Sequence, residues 1–148
     1  MKKIYKREFK RNDERHLLLF GYNEHKEEAS KELKITPEPN PHMRWNPSRQ
    51  EWVTYSSTRQ ARTVFPPKEY CPLCPGAELN FPTEIPFKNF EVAVFPNRWS
   101  SFNTNKNQDI VKGLEVKSSD GTCEVVVYSS NHLDTIAQMP LERIELLF

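Results

Sequence analysis

Two cysteines and one distant histidine carry the clearest chemical signal in the sequence. Cys71-Pro72-Leu73-Cys74 places two thiols three positions apart on a proline-containing turn, where both can bind one metal ion from the same side. Zinc takes about four ligands in a tetrahedron, so this pair would supply half of a site. His132, which follows Ser129-Ser130-Asn131, is the candidate for a third ligand.

Other interpretations of the cysteine pair remain open at this point. The two thiols could be small buried hydrophobic groups, or they could form a redox pair. A thioredoxin-like redox motif opens a helix, whereas Pro75-Gly76 follows the second cysteine here and favours a turn. We therefore expect a metal-binding knuckle. The remaining cysteine, Cys123, lies within a predicted strand and needs no chemical role there.

Two arginines form a second group with chemical potential. Arg59 and Arg62 are three positions apart after a predicted strand, and two guanidinium groups at this spacing can both contact a phosphate or a carboxylate. Ordinary surface charge would give the same spacing, so the pattern alone does not separate the two interpretations.

Two strands are expected to position the metal ligands. Residues 90–95 are apolar on both faces, which predicts a central strand. Residues 122–128, with Val125-Val126-Val127 at their centre, predict a second strand that we pair antiparallel with the first. His132 stands just past the end of this second strand. A histidine there is often only a turn residue, but the pairing would bring it near the knuckle.

The N-terminal part of the chain is expected to form separate, smaller elements. Residues 1–36 are predicted to be a charged segment with a hairpin of strands 5–10 and 16–22 that packs against the main domain. One short polar helix is expected over residues 24–34. Residues 37–41 are rich in proline, which enforces an extended linker. The main domain then spans residues 42–148.

Within the main domain, the sequence predicts one more hairpin and one helix. The hairpin joins residues 43–47 to 51–55, and residues 103–120 follow later as a loop with at most a weak strand at 110–116. A helix is expected to begin at Pro140, with Leu141, Ile144, Leu147 and Phe148 on one face. No capping residue closes this helix, so we expect a chain truncated within the element.

Composition excludes several classes of protein. A net charge of +1 gives no long-range attraction for nucleic acid or for an anionic membrane. No apolar run approaches the roughly 18 residues of a membrane span, and Met1-Lys2-Lys3 leads into charged residues rather than a signal core. The odd number of cysteines, without the spacing of a disulfide framework, favours a reduced cytoplasmic compartment.

Six short motifs, in order and at similar spacing, resemble the N-terminal half of the galactose-1-phosphate uridylyltransferases, a family of the histidine-triad superfamily. The resemblance covers about residues 42–148, and residues 5–22 are similar to the N-terminal hairpin of some bacterial members. The motifs are Arg44-Trp45-Asn46-Pro47, Glu51-Trp52-Val53, the Arg59 and Arg62 pair, Cys71-Pro72-Leu73-Cys74, Phe95-Pro96-Asn97-Arg98 and Cys123 through His132.

The resemblance implies a fold, an activity and partners. The fold would be α+β, a mainly antiparallel sheet with the start of a helix at its C-terminal end. Family members transfer UMP from UDP-glucose to galactose 1-phosphate through a uridylyl-histidine intermediate, and the complete enzyme would be a homodimer. Residue by residue, Cys71, Cys74 and His132 match three ligands of a structural zinc ion.

The resemblance also implies substrate-binding residues. Arg59 and Arg62 match basic residues near the nucleotide phosphates. Asn97 matches an asparagine at the nucleoside site, and Arg98 stands where many members have aspartate, which changes the contact made there. Three apolar positions would line the uracil pocket, namely Leu73, Phe95 and Val125.

One departure from the family is large. The family's nucleophile lies in a downstream His-Pro-His-Gln stretch whose first histidine is the fourth zinc ligand. The four histidines of this chain are His16, His25, His42 and His132, and none has that context. We therefore expect the chain as given to be inactive. Two alternatives stay open, a related nucleotidyltransferase or phosphorylase for ADP-sugars, and a zinc-stabilised binding module without catalytic activity.

Overall fold

A computed structural model of the chain describes residues 2–34, 41–57, 66–76, 79, 81–102 and 113–148. Over this part of the chain the fold is rich in antiparallel sheet and contains very little helix, so the predicted α+β class is confirmed. The elements are β1 (Tyr5–Lys10), β2 (His16–Gly21), β3 (His42–Asn46), β4 (Glu51–Tyr55), β5 (Val92–Pro96), β6 (Val116–Ser118), β7 (Glu124–Val127) and α1 (Leu141–Glu145).

The chain divides into two compact units, each built from separate stretches of sequence. The first unit comprises Met1–Ile35, Phe65–Phe95 and Val125–Phe148, and the second unit comprises Thr36–Val64 and Pro96–Glu124. Among the described residues, no helix is long and apolar enough to cross a membrane.

A four-stranded sheet in the order β1-β2-β5-β7 carries the elements of the first unit. β1 and β2 form an antiparallel hairpin, and β2 pairs antiparallel with β5. The predicted N-terminal hairpin is therefore confirmed, and it extends the main sheet through hydrogen bonds. β5 lies between β2 and β7, as its apolar sequence predicted.

One face of this sheet forms the hydrophobic core of the first unit. Leu17 and Leu19 of β2 are completely buried, whereas Leu18 between them is only half-buried. This alternation follows from the opposite directions of successive side chains in a strand. The core is completed by Ile85, Phe87, Phe90, Ala93 and Phe95.

The second unit contains a three-stranded sheet in the order β4-β3-β6. The hairpin of β3 and β4 is confirmed, with Trp45 opposite Trp52 and ring centroids 5.6 Å apart. Asn46 opens the turn, since its side-chain oxygen accepts hydrogen bonds from the backbone N–H groups of Ser48 and Arg49. β6 begins where the predicted weak strand was expected to end, and residues 110–112 lie outside the described residues.

The predicted helix over residues 24–34 is wrong, because this segment has no regular secondary structure. Its backbone carbonyls instead accept hydrogen bonds from Arg7 on β1, at His25 (3.0 Å) and Glu27 (2.6 Å). The N–H of Ser30 also donates to the carbonyl of Pro86. Contacts outside the segment thus replace the internal bonds that a helix would need.

The helix that follows Pro140 is confirmed, but its predicted apolar face is partly wrong. α1 ends at Glu145, so Phe148 lies beyond it and is fully exposed. Leu141 is also exposed, at 70%, whereas Leu146 is the buried residue of this region. A helix of five residues is too short to present a long stripe, and the chain turns before the last predicted positions.

Candidate metal centre

The cysteine knuckle is built from a short helical turn followed by a tight loop. A 3-10 turn, Lys68–Tyr70, ends at Cys71, whose N–H donates to the carbonyl of Lys68 over 3.2 Å. The N–H of Cys74 then donates to the carbonyl of Cys71 over 3.4 Å. Both cysteines are buried, and neither is part of a disulfide. The loop therefore holds two reduced thiols in a site with little access to water.

His132 lies in a loop that is held by its own polar residues. Asp134 accepts hydrogen bonds from the side chains of Ser129 and Asn131, and its backbone N–H donates to the carbonyl of Asn131. Tyr128, directly after β7, donates its hydroxyl to the carbonyl of Asp134. These bonds fix the turn in which His132 is presented. The predicted position of His132 after the second strand is thus observed.

The three candidate ligands converge in the first unit. The Sγ atom of Cys74 lies 3.3 Å from Nδ1 of His132, and the ligand atoms of Cys71, Cys74 and His132 all lie within 4.8 Å of one another. Ligands at about 2.0–2.3 Å from a tetrahedral metal are separated from each other by roughly 3.3–3.8 Å. The group could therefore hold one metal ion after small side-chain adjustments. Two thiols and one imidazole are a donor set that suits zinc.

A segment that the sequence analysis did not single out braces the knuckle. Thr83 donates its hydroxyl to the carbonyl of Cys74 over 2.8 Å, and the N–H of Glu84 donates to the carbonyl of Pro72 over 2.9 Å. The N–H of Gly76 donates to the carbonyl of Ile85 over 2.8 Å. Backbone carbonyls are the acceptors in all three of these bonds, so no pattern of residue types around positions 71–74 predicts them.

The residues assigned to nucleotide binding are distributed over the two units. Leu73 and Val125 are half-buried and pack against the core that includes Phe95, all within the first unit. Asn97 and Arg98 belong to the second unit. Arg59 and Arg62 lie outside the described residues. The shared uracil pocket remains a prediction.

The polar members of this set already have local contacts. Asn97 accepts a hydrogen bond from the N–H of Trp99 over 2.9 Å, and its own N–H donates to the carbonyl of Cys123 over 2.8 Å. The guanidinium of Arg98 lies 5.1 Å from the ring centroid of Trp99, and its Nε is buried without a hydrogen-bond partner among the described residues. Arg98 therefore has an unused donor for a ligand.

A cavity of about 450 Å³ opens elsewhere in the first unit. Its lining comes from residues 23–27, 89–91 and 129–131, together with Asp134 and Arg143. None of the residues assigned to nucleotide binding belongs to this described lining. Arg143 donates hydrogen bonds there to the backbone carbonyls of Glu91 and Tyr128, at 2.8 and 3.1 Å.

Comparisons with known proteins agree with the motif order. Residues 31–147 match the model of a family described as galactose-1-phosphate uridyl transferase, N-terminal domain. The galactose-1-phosphate uridylyltransferase of Thermotoga maritima is 37% identical over 108 residues, which cover 71% of this chain and 32% of that protein. The chain thus spans about a third of the length of this relative. No solved structure gives a significant match.

Proposed function

The chain belongs to the galactose-1-phosphate uridylyltransferase family, and from this premise we propose that it carries the N-terminal domain of an enzyme that transfers UMP from UDP-glucose to galactose 1-phosphate. The observation that carries the proposal is the match of residues 31–147 to that domain. The alternative of a binding module without chemistry has no comparable support.

We propose that Cys71, Cys74 and His132 bind zinc. The support is their convergence, their chemistry as soft and borderline ligands, and the absence of a disulfide between the two cysteines. By resemblance to the family, the fourth ligand would be the first histidine of the His-Pro-His-Gln stretch, which is not present in residues 1–148. When bound, zinc would tie the knuckle to the loop after β7 and would have a structural role.

The nucleotide would contact the residues that the family resemblance assigns to it. Leu73, Phe95 and Val125 would flank the base, and their common packing in one core region supports this assignment. Asn97 and Arg98 would bind the nucleoside, and the buried Nε of Arg98 has no hydrogen-bond partner in the part of the chain that the structure describes. Arg59 and Arg62 would contact the phosphates, which guanidinium groups bind with two parallel hydrogen bonds.

In the complete enzyme, a histidine imidazole would displace glucose 1-phosphate from the α-phosphorus of UDP-glucose. Galactose 1-phosphate would then take the UMP, so that one displacement is divided into two. None of the four histidines of this chain stands in the sequence context of the family's nucleophile. We further propose a homodimeric, cytoplasmic enzyme, because an odd number of cysteines without the spacing of a disulfide framework favours the reducing compartment.

Thermal denaturation with different ligands tests the nucleotide assignment. We expect UDP to raise the melting temperature of the purified chain more than ADP does, and a single-stranded oligonucleotide to leave it unchanged, because only a bound ligand stabilises the folded state. Arg59→Ala should reduce the shift caused by UDP but preserve any shift caused by uridine. A larger shift with ADP would favour an ADP-sugar enzyme, and a shift with the oligonucleotide alone would refute the proposal.

A further inference from the structure

The turn of the N-terminal hairpin inserts a charged side chain into the first unit. The side chain of Arg11 is fully buried, and that of Glu84 is 2% exposed. Arg11 donates from Nη1 to Oε2 of Glu84 over 2.7 Å and to the backbone carbonyl of Glu84 over 2.8 Å. Arg15 donates from Nη2 to the same carboxylate oxygen over 2.6 Å. Two arginines of the hairpin turn therefore bind Glu84, which belongs to the segment that is hydrogen-bonded to the knuckle.

Hydrogen bonds connect Glu84 and its neighbour Thr83 to the backbone of the cysteine knuckle. Glu84 donates its N–H to the carbonyl of Pro72, which lies between the two cysteines. Its neighbour Thr83 donates to the carbonyl of Cys74. A shift of this segment would therefore move the backbone of both the middle and the end of the knuckle.

The segment of residues 83–85 packs closely against Gly76, which directly follows the knuckle. A Cβ atom at Gly76 would lie 2.7 Å from Oγ1 of Thr83 and 3.1 Å from the carbonyl oxygen of Ile85. These separations are shorter than ordinary packing distances, so glycine is needed for the close approach. The knuckle thus takes its position from the segment of residues 83–85.

Stability alone does not account for the buried ion pair of Arg11 and Glu84. Removing charges from water costs several kcal/mol per ion, and apolar replacements of buried pairs are often as stable. Here Nε and Nη2 of Arg11 and Oε1 of Glu84 are buried, and no described residue forms a hydrogen bond with them, although Nε lies 3.8 Å from a carboxylate oxygen of Asp13. The directional bonds to Glu84 point to a role in orientation.

We propose that Arg11 is a positioning residue of the metal centre, which acts through Glu84 and Thr83 to hold the cysteine knuckle in its ligating geometry. The N-terminal hairpin would thereby set the metal affinity of a site to which it supplies no ligand. This inference rests on the proposed zinc site. Outer contacts of this kind typically change metal affinity by about 10–100-fold.

Zinc affinity measured by competition with a chromophoric chelator provides the first test. We expect Arg11→Met to weaken zinc binding by about 10–100-fold, and Arg11→Lys, which keeps a charge and a donor, to recover part of the loss. Phe20→Ala on the half-buried face of β2 is the matched control, because it lowers stability without touching Glu84. Equal losses of affinity in Phe20→Ala and Arg11→Met would show a general effect of stability and would overturn the proposal.

A double-mutant cycle separates positioning from independent effects. Thr83→Val removes the hydrogen bond to Cys74 but leaves Arg11 and Glu84 in place. If both residues act through one segment, the losses of zinc affinity in Arg11→Met and Thr83→Val should not add in the double variant. Additive losses would contradict the proposal.

Hydrogen exchange of the metal-free protein gives a readout that does not depend on zinc. We expect faster exchange at the amides of Cys74, Gly76 and Glu84 in Arg11→Met than in the wild type, with unchanged exchange in β1. Unchanged exchange together with unchanged zinc affinity would refute the positioning role. Failure of the wild type to bind zinc would instead refute the proposed metal site, and with it any role of Arg11 toward a metal.

Discussion

The cysteines of this chain differ in what surrounds them. Cys71 and Cys74 are buried side by side in a loop that turns their thiols toward an imidazole, whereas Cys123 lies in the second unit just before β7. A thiolate is a far better ligand for zinc than a hydroxyl group, because the metal favours soft donors. We therefore expect Cys71 and Cys74, but not Cys123, to bind zinc.

Replacement of one knuckle cysteine should abolish tight zinc binding. We expect Cys74→Ser to lose more affinity than the roughly 10–100-fold cost of an outer contact, since it removes a ligand. Cys123→Ser is the matched control and should bind zinc as the wild type does. Metal content after dialysis and chelator competition measure both variants, and a normal zinc content in Cys74→Ser would contradict the site.

The ligands could be predicted from the sequence, but their supports could not. The spacing of Cys71 and Cys74 allows both thiols to bind one metal ion. The order of motifs indicated His132 as the third ligand. Arg11 and Glu84 are far apart in the sequence and resemble ordinary surface charges there. Their importance depends on burial and on bonds to backbone carbonyls, which residue types do not encode.

At the scale of elements, β2 joins β1 to the rest of the four-stranded sheet. It pairs with β1 on one side and β5 on the other, and its alternate leucines enter the core. Such strands were predictable, because alternation and apolar runs are properties of the local sequence. The absence of a helix at residues 24–34 was not, because it depends on partners such as Arg7 and Pro86.

The two faces of β2 should respond differently to the same substitution. Leu19→Ala removes a completely buried side chain and should lower the free energy of unfolding by about 2–5 kcal/mol. Leu18→Ala on the half-buried face should cost about 1 kcal/mol. Urea denaturation of the metal-free proteins measures both, and equal costs would show that the described register of β2 is wrong.

The irregular segment that follows β2 is anchored by a carboxylate. Glu27 accepts hydrogen bonds from the side-chain amide of Asn89 at 2.9 Å and from the N–H groups of Lys88 and Asn89 at 3.1 and 3.2 Å. The side-chain bond from Asn89 is the main cause that holds the pKa of Glu27 below its ordinary value of 4.5, although burial acts in the opposite direction. These bonds favour the ionised form in the folded state.

The stability that this anchor contributes should therefore depend on pH. Because the folded pKa is lowered, the contribution is fully present above the ordinary value and is lost as the pH falls through the folded pKa. We expect Glu27→Gln to lower the melting temperature of the metal-free protein near pH 7, with a difference that shrinks below about pH 4.5. Glu28→Gln, at an exposed neighbouring position, should show no such trend. A difference that grows with acidity would contradict the assignment.

At the scale of the whole molecule, each of the two compact units is assembled from interleaved stretches of sequence. Sequence order alone favoured a division at the proline-rich residues 37–41, because composition reveals linkers and not contacts between distant segments. The candidate zinc ligands all lie in the first unit, whereas the proposed nucleoside contacts Asn97 and Arg98 lie in the second. The two functions can therefore be tested separately in the same chain.

None of the four histidines of this chain is expected to act as a nucleophile toward UDP-glucose. Nδ1 of His132 lies 3.3 Å from Sγ of Cys74, so this imidazole faces the metal position and would be occupied when zinc is bound. His16, His25 and His42 do not stand in the sequence context of the family's nucleophile. Nucleophilic catalysis needs an imidazole positioned at the reacting phosphorus. We therefore expect no covalent uridylylation of this chain, even under conditions in which UDP stabilises it.

Incubation of the purified chain with UDP-glucose labelled in the uridylyl group measures this outcome. Intact mass should show no added UMP, and no glucose 1-phosphate should be released above the rate without protein. The galactose-1-phosphate uridylyltransferase of Thermotoga maritima serves as the positive control. Stoichiometric labelling of any histidine would overturn the prediction, because one of the four imidazoles would then have to reach the α-phosphorus. His132→Asn would be the first variant to examine in that case, since loss of both the label and the zinc would show that one side chain serves both purposes.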